Sequence, residues 1–514
     1  MRISKFGLAP LVILASTETL LAQETPRVTK LPECFVELPE TMAENSGADC
    51  GYVTVRENRS DETHGEIDLA YMRIRAVDPT GASPLFMLAG GPGQTMIKAE
   101  EMALFQSELI GPVLQNRDVV LLEQRGTFRS KPALTCPETR HAAKEAIVNR
   151  LDSKAAEKLS LDAFQACIDR HTSDGVDLAS YNTVESAADV DDARAALGYD
   201  KFIFYGSSYG TLLGQFVMRE FPESLAAVIL DGIETPTTKS WTENRTERAQ
   251  WGLDSMTELC MRQKDCAATF DIPALVEDVF GVLGDEPVIV SVTLPDGAPA
   301  TGDVDVTVRP EALAATIYGL QTSKYGVGAL PSFLQQQISA GRDALARVLA
   351  EQALNQSVAS LADDESGMPL LMHLAMVCSD DPPRPLDKAA DSSLTTYAER
   401  FGRSVVLEYV ALCDVIDVPE LSEASDEIVR SDVPVLALTG GLDVQTPAFL
   451  ADEALAAMPN VTHVVFPSGF HAQVANLNRC AISMVVSFIE DPTATPDTGC
   501  TEDEADLFFV LPEN

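Results

Sequence analysis

In the stretch YGSSYGTLLG, residues 205–214, Ser208 stands midway between Gly206 and Gly210, directly after the apolar run Phe202-Ile203-Phe204. A serine hydroxyl is a weak nucleophile until a base takes its proton, so this spacing means acyl-transfer chemistry only where a histidine and an orienting carboxylate accompany it. Six histidines are present. His471 follows the strand-like THVVFPSGF, whereas His463 lies inside that stretch and reads as structural. His64, His141, His171 and His373 have no comparable setting. Asp443 closes VPVLALTGGLD, upstream of His471. The chain order Ser208, Asp443, His471 is that of a nucleophile on a sharp strand-to-helix turn, with the aspartate orienting the imidazole. Two N–H donors are needed for the developing oxyanion: Tyr209 offers one through its backbone, and Gly91 of AGGPG offers the other. Taken singly, each of these is an ordinary turn residue.

The elements around them decide. PLFMLAGGPG, DVVLLEQRG, KFIFYGSS, AAVILDGIE and VPVLALTGGLD are short continuous apolar runs ending in glycine or a polar residue, the pattern of strands buried on both faces. Helical patterns lie between several of them, notably TVESAADVDDARAALGYD before the serine strand and TLLGQFVMREFPE after it. Such alternation predicts an α/β fold with a mostly parallel, doubly wound sheet, in which ligands bind beyond the carboxyl ends of the strands. CGYVTVREN and GEIDLAYMRIRAV alternate apolar and polar residues and predict an antiparallel entry to that sheet. The alternation stops after Pro236 and resumes near Val433. Between them a hairpin from VIVSVTLPDG to DVDVTVRP and several amphipathic helices predict a large inserted cap domain. The expected organisation is a signal peptide over 1–22, a first core part over 23–235, the cap over 236–432, a second core part over 433–490 and an acidic surface tail over 491–514.

The N-terminus carries Arg2 and Lys5, an apolar run from Phe6 to Ala15, and Ala22 as a small residue before a cut, which reads as an export signal. Ten cysteines fit an oxidising destination, secreted or periplasmic. They fall into sequential couples, Cys34 with Cys50, Cys136 with Cys167, Cys260 with Cys266, Cys378 with Cys413, and Cys480 with Cys500; free buried thiols are the other reading. No Cys-x-x-Cys or His-Glu-x-x-His pattern suggests a metal. Thirty-seven basic against 78 acidic residues give a formal charge of -41, which repels nucleic acid and anionic membranes and says nothing of fold.

Together GGPG, EQRGTFRS (123–130), GSSYGTLLG, LDGIETP, GGLDVQTP and SGFHAQV resemble the α/β-hydrolases of the proline iminopeptidase and tripeptidyl aminopeptidase group, peptidase family S33, with a TAP-like C-terminal part. The resemblance implies an exopeptidase that acts on free N-termini through a Ser-His-Asp triad, closed by a cap and needing no metal or cofactor. Two positions depart from the family pattern: Ala89 stands where a histidine precedes Gly-Gly-Pro-Gly, and Glu123 where an aspartate begins Asp-Gln-Arg-Gly. The expected substrate is a peptide, with an ester as the alternative on the same scaffold and a non-catalytic binding protein as a third possibility. An aminopeptidase must hold a free ammonium, for which Glu234 is the first candidate and Asp380 and Asp381 are the second.

Overall fold

The computed structural model describes residues 26–40, 46–61, 63, 65–98, 109–237, 241, 244–361, 368–380, 394–501 and 507–512. Its strands are β1 (Arg27–Lys30), β2 (Ala48–Arg56), β3 (Glu66–Ile74), β4 (Leu85–Leu88), β5 (Val119–Leu122), β6 (Phe202–Ser207), β7 (Leu225–Asp231), β8 (Val288–Thr293), β9 (Asp303–Val308), β10 (Val435–Gly440) and β11 (Val461–Phe466). Nine of them form one sheet in the order β1-β2-β3-β5-β4-β6-β7-β10-β11. The first three pair antiparallel, β3 joins β5 antiparallel, and the rest are parallel. This is the α/β-hydrolase fold.

Continuous apolar runs make sense because alternate residues of one strand enter different cores. Phe202, Phe204, Val228 and Leu230 pack on one face, while Ile203, Tyr205, Ala227 and Ile229 pack on the other. A one-residue slip would merely exchange two apolar faces, so register rests on the strand ends. There, Leu88 is level with Gly206, Ser207 with Asp231, and Asp231 with Leu438. Chemistry-bearing residues just past these strands are therefore neighbours.

β7 and β10 are adjacent, yet residues 232–434 separate them in sequence. Within that segment the antiparallel pair β8–β9 and helices from Arg245–Arg262 to Thr396–Ile416 surround a third apolar core, which includes Leu253, Val276, Leu313, Leu349 and Tyr397. All five cysteine couples are joined as disulfides. The end of the chain corrects one expectation. Leu507 and Phe509 are buried in the third core, and Val510 donates its N–H to Gly328 O, so this part of 491–514 docks on the insert rather than trailing over the surface. Its two buried apolar residues, spaced to one face of an extended chain, are what its acidic composition conceals.

Candidate active site

Ser208 has φ 56° and ψ -126°, a conformation that L residues rarely adopt, and it begins the helix Tyr209–Glu220. The flanking glycines are steric requirements. A Cβ on Gly206 would stand 2.2 Å from Gly210 O, and one on Gly210 would stand 3.0 Å from Ala89 O. Glycine at both positions lets the turn tighten, leaving Ser208 half-buried at the top of the sheet.

The AGGPG loop reaches the same point. A Cβ on Gly90 would meet Ser208 Cβ at 2.7 Å and Ser208 Oγ at 3.3 Å, so this loop presses directly on the serine. Gly91 follows with φ +111°. The EQRG segment holds the loop: Gln124 Nε2 donates to Ala89 O at 2.8 Å, and buried Glu123 accepts the N–H groups of Met96 and Ile97, both at 3.1 Å, as well as the Thr95 hydroxyl. Both departures from the family pattern thus sit in the scaffold of the loop. Burial raises the Glu123 carboxyl above its ordinary range. Arg125 is spent further back, on Asp189 at 2.8 Å and on two backbone carbonyls.

His471 Nδ1 lies 2.9 Å from Asp443 Oδ2. Asp443 also accepts the N–H groups of Gln445 at 2.8 Å and Thr446 at 2.9 Å, and the Thr446 hydroxyl, whose oxygen is 3.0 Å from His471 Nδ1. Burial works to raise the Asp443 carboxyl, but the imidazole and these donors prevail and hold it below its usual range. For His471, burial opposes the charged form while the Asp443 carboxylate favours it, with Glu234 and Asp231 adding to the same side; the outcome lies above the ordinary imidazole value. Ser208 and His471 both border the Asp231–Gly232 segment: Ser208 N–H donates to Asp231 O at 3.0 Å, and a Cβ on Gly232 would meet His471 Cε1 at 3.3 Å; no hydrogen bond joins Ser208 to His471 among the described residues.

Four residues that sequence reasoning did not assign now stand out. Asp231, wholly buried at the end of β7, accepts Gln473 N–H at 2.6 Å, Val474 N–H at 2.8 Å and the Tyr205 hydroxyl at 3.0 Å. It anchors the turn after His471, in which Ala472 has φ 57°. Thr446 braces Asp443, three residues before it in the chain. His373 is buried on the helix Leu370–Asp380, with Nδ1 3.0 Å from Pro92 O and Nε2 2.8 Å from the Tyr409 hydroxyl; burial pushes it down to about 4. Arg248 is the partner of Glu234. The aspartate of LDG was the legible signal among these, because it too ends a buried apolar run.

Of the proposed ammonium-binding acids, Glu234 is locked to wholly buried Arg248 by bonds of 3.1 and 2.8 Å. It lies three residues past the end of β7, which stops at Asp231. Asp380 accepts the N–H of Thr183 at 3.1 Å and its hydroxyl. Asp381 lies outside the described residues, as does the segment 1–22. Glu234 and Asp380 both line a cleft, about 550 Å³ including its open mouth, whose other walls include Tyr209, Leu212, Phe216 and Trp241. Cys136, Cys167 and Glu138 cluster, but the joined sulfurs offer no thiolate to a metal.

Residues 83–269 match the alpha/beta hydrolase fold family, and residues 398–500 match the TAP-like protein family. The chain therefore carries an alpha/beta hydrolase fold part followed by a TAP-like part. The serine protease Hip1 of Mycobacterium tuberculosis is 34% identical over 37% of this chain and 36% of its own length. The tripeptidyl aminopeptidase of Streptomyces lividans is 28% identical over the same shares. The matched region thus spans about a third of these relatives. No described helix is long and apolar enough to cross a membrane.

Proposed function

We propose that the protein is an exported serine aminopeptidase in which Ser208 attacks the carbonyl next to a free N-terminal segment. His471 takes the hydroxyl proton through Nε2 while Asp443 holds Nδ1 and stabilises the imidazolium. The oxyanion is received by the N–H groups of Tyr209 and Gly91, the amine leaves with the proton from His471, and water activated by the same imidazole releases the acyl group. The observation that carries this reading is the Asp443–His471 pair at the Gly232 turn, the same strand end to which a serine in a strained elbow is bonded. Residues 236–432 serve as the cap: Met368, Met372 and His373 of this segment pack on Gly91, Pro92 and Gly93, which supports a cleft closed from above. The five disulfides favour an oxidising destination.

An esterase is the second reading, and the Arg248–Glu234 pair favours it, since the first candidate for ammonium binding already has a cation. Chromogenic peptides with free and with blocked N-termini, run beside p-nitrophenyl esters, decide the matter. An aminopeptidase cuts the free-amine peptides and spares the blocked ones; indifference to the amine, with rapid ester turnover, assigns the esterase.

A further inference from the structure

Five arginines are buried among the described residues: Arg73, Arg117, Arg125, Arg245 and Arg248. Four have a carboxylate, Asp49, Glu490, Asp189 and Glu234 respectively. Arg245 has none. It is 7% exposed and opens the helix Arg245–Arg262; its Nε is buried without a hydrogen-bond partner among the described residues. Its neighbour is the Trp241 ring, with Cζ 4.2 Å from the centroid. A cation–π contact contributes about 0.5–2 kcal/mol, whereas desolvating an ion costs several, so the described residues offset this charge only in part. In a chain with 78 acids to 37 bases, a buried guanidinium without a carboxylate among the described residues is the exception to the pairing of the other four.

Its aromatic neighbour borders a cleft that adjoins the candidate site at Pro92 and Tyr209. Trp241 is a wall of the cleft beside Tyr209 and Glu234. The same Trp241 ring stands edge-on to His373, centroids 5.0 Å apart, and His373 Nδ1 lies 3.0 Å from Pro92 O of the glycine loop. The guanidinium is therefore one aromatic ring away from the residues that hold the glycine loop. Its planar fork suits a carboxylate better than any neutral group does.

We propose that Arg245 receives a carboxylate of the substrate, so that the cleft selects peptides carrying one anionic group a short distance from the reacting carbonyl. The proposal deepens the hydrolase reading and rests on it for the reaction. The carboxylate comes either from the C-terminus of a short peptide or from an acidic side chain, and matched pairs separate these sources: Ala-Ala-Ala as acid and amide, and Ala-Ala-Asp-amide against Ala-Ala-Asn-amide. In the wild type, kcat/KM for the anionic member of one pair exceeds that of its neutral partner by about tenfold or more, mainly through KM. Arg245→Gln abolishes the preference, and Arg245→Lys keeps part of it. Equal rates within both pairs, or an equal loss on both members in Arg245→Gln, overturn the proposal. If none of the four peptides is cut, they serve as competitive inhibitors of p-nitrophenyl acetate hydrolysis. Tighter inhibition by an anionic member in the wild type alone then sustains Arg245 while the peptidase reading falls, and equal inhibition rejects both. Arg245→Gln removes an unpaired buried charge, so its Tm is no lower than that of the wild type. A fall of many degrees assigns Arg245 to the fold and refutes the proposal.

Discussion

Asp231 and Asp443 stand at the carboxyl ends of adjacent strands, are equally buried, and serve the same histidine in different ways. Asp443 meets the imidazole itself, and a cation within reach keeps its carboxyl below the ordinary range. Asp231 accepts its hydrogen bonds from dipoles, the Gln473 and Val474 N–H groups and the Tyr205 hydroxyl, with His471 acting on it without a bond, and burial prevails over them, pushing it up to about 6. Equal burial with unequal partners gives opposite shifts. One carboxylate bonds to the imidazole of His471; the other bonds to the backbone that aims it, and adds to the charge only without contact.

The comparison breaks first if the triad is misassigned. Ser208→Ala should lower kcat by about four orders of magnitude or more, because the three groups act as a unit. Asp443→Asn should cost roughly 10³–10⁴ by offering Nδ1 the wrong hydrogen-bond partner. Turnover of a confirmed substrate by Ser208→Ala at even a tenth of the wild-type rate would remove Ser208 from the mechanism. Because the resting His471 lies above its ordinary value of 6.5, the base is protonated, and activity is lost, as pH falls through that raised value.

A third acid sharpens the contrast by acting from a distance. Glu234→Gln leaves buried Arg248 without its carboxylate, so it should destabilise the fold by about 3–5 kcal/mol in urea melts. It should also move the acid limb of kcat/KM to lower pH, since one negative charge favouring the imidazolium is gone. A limb that stays in place would show that Glu234 serves only Arg248.

The parallel strands were legible because burial on both faces forces unbroken apolar runs, and Ser208, Asp443 and His471 were legible because each closes or follows such a run. Asp231 closes one too, but its use depends on Gln473 and Val474, more than two hundred residues away, which no local pattern announces. The placement of Glu234 suggested an ammonium site from sequence; its cation proved to be internal, from a helix of the insert whose docking on the sheet is not encoded by periodicity. Arg245 was invisible for the same reason, because in sequence a charged residue at a helix start looks solvated. Leu507 and Phe509 were hidden by the acids around them.

The smallest expected effect tests the comparison most closely. Asp231→Asn keeps the size of the side chain but offers three donors a single carbonyl oxygen, and its amide NH₂ faces one of them, which costs about 1–3 kcal/mol. The His471 turn loosens without losing any reacting group, so kcat should fall by only about tenfold, far less than in Asp443→Asn. The pH dependence of stability separates the two aspartates by sign. Asp231 has a folded value of about 6 against 3.8, so its contribution is complete below 3.8 and is lost as pH rises through about 6. Asp443 is shifted the other way; its contribution is present above 3.8 and is lost as pH falls through its lower folded value. In thermal melts from pH 7 to pH 4, the margin of the wild type over Asp231→Asn should widen on acidification, while its margin over Asp443→Asn should not. If both margins follow the same course, Asp231 is ionised like Asp443, and the division between a charge partner and a backbone anchor fails.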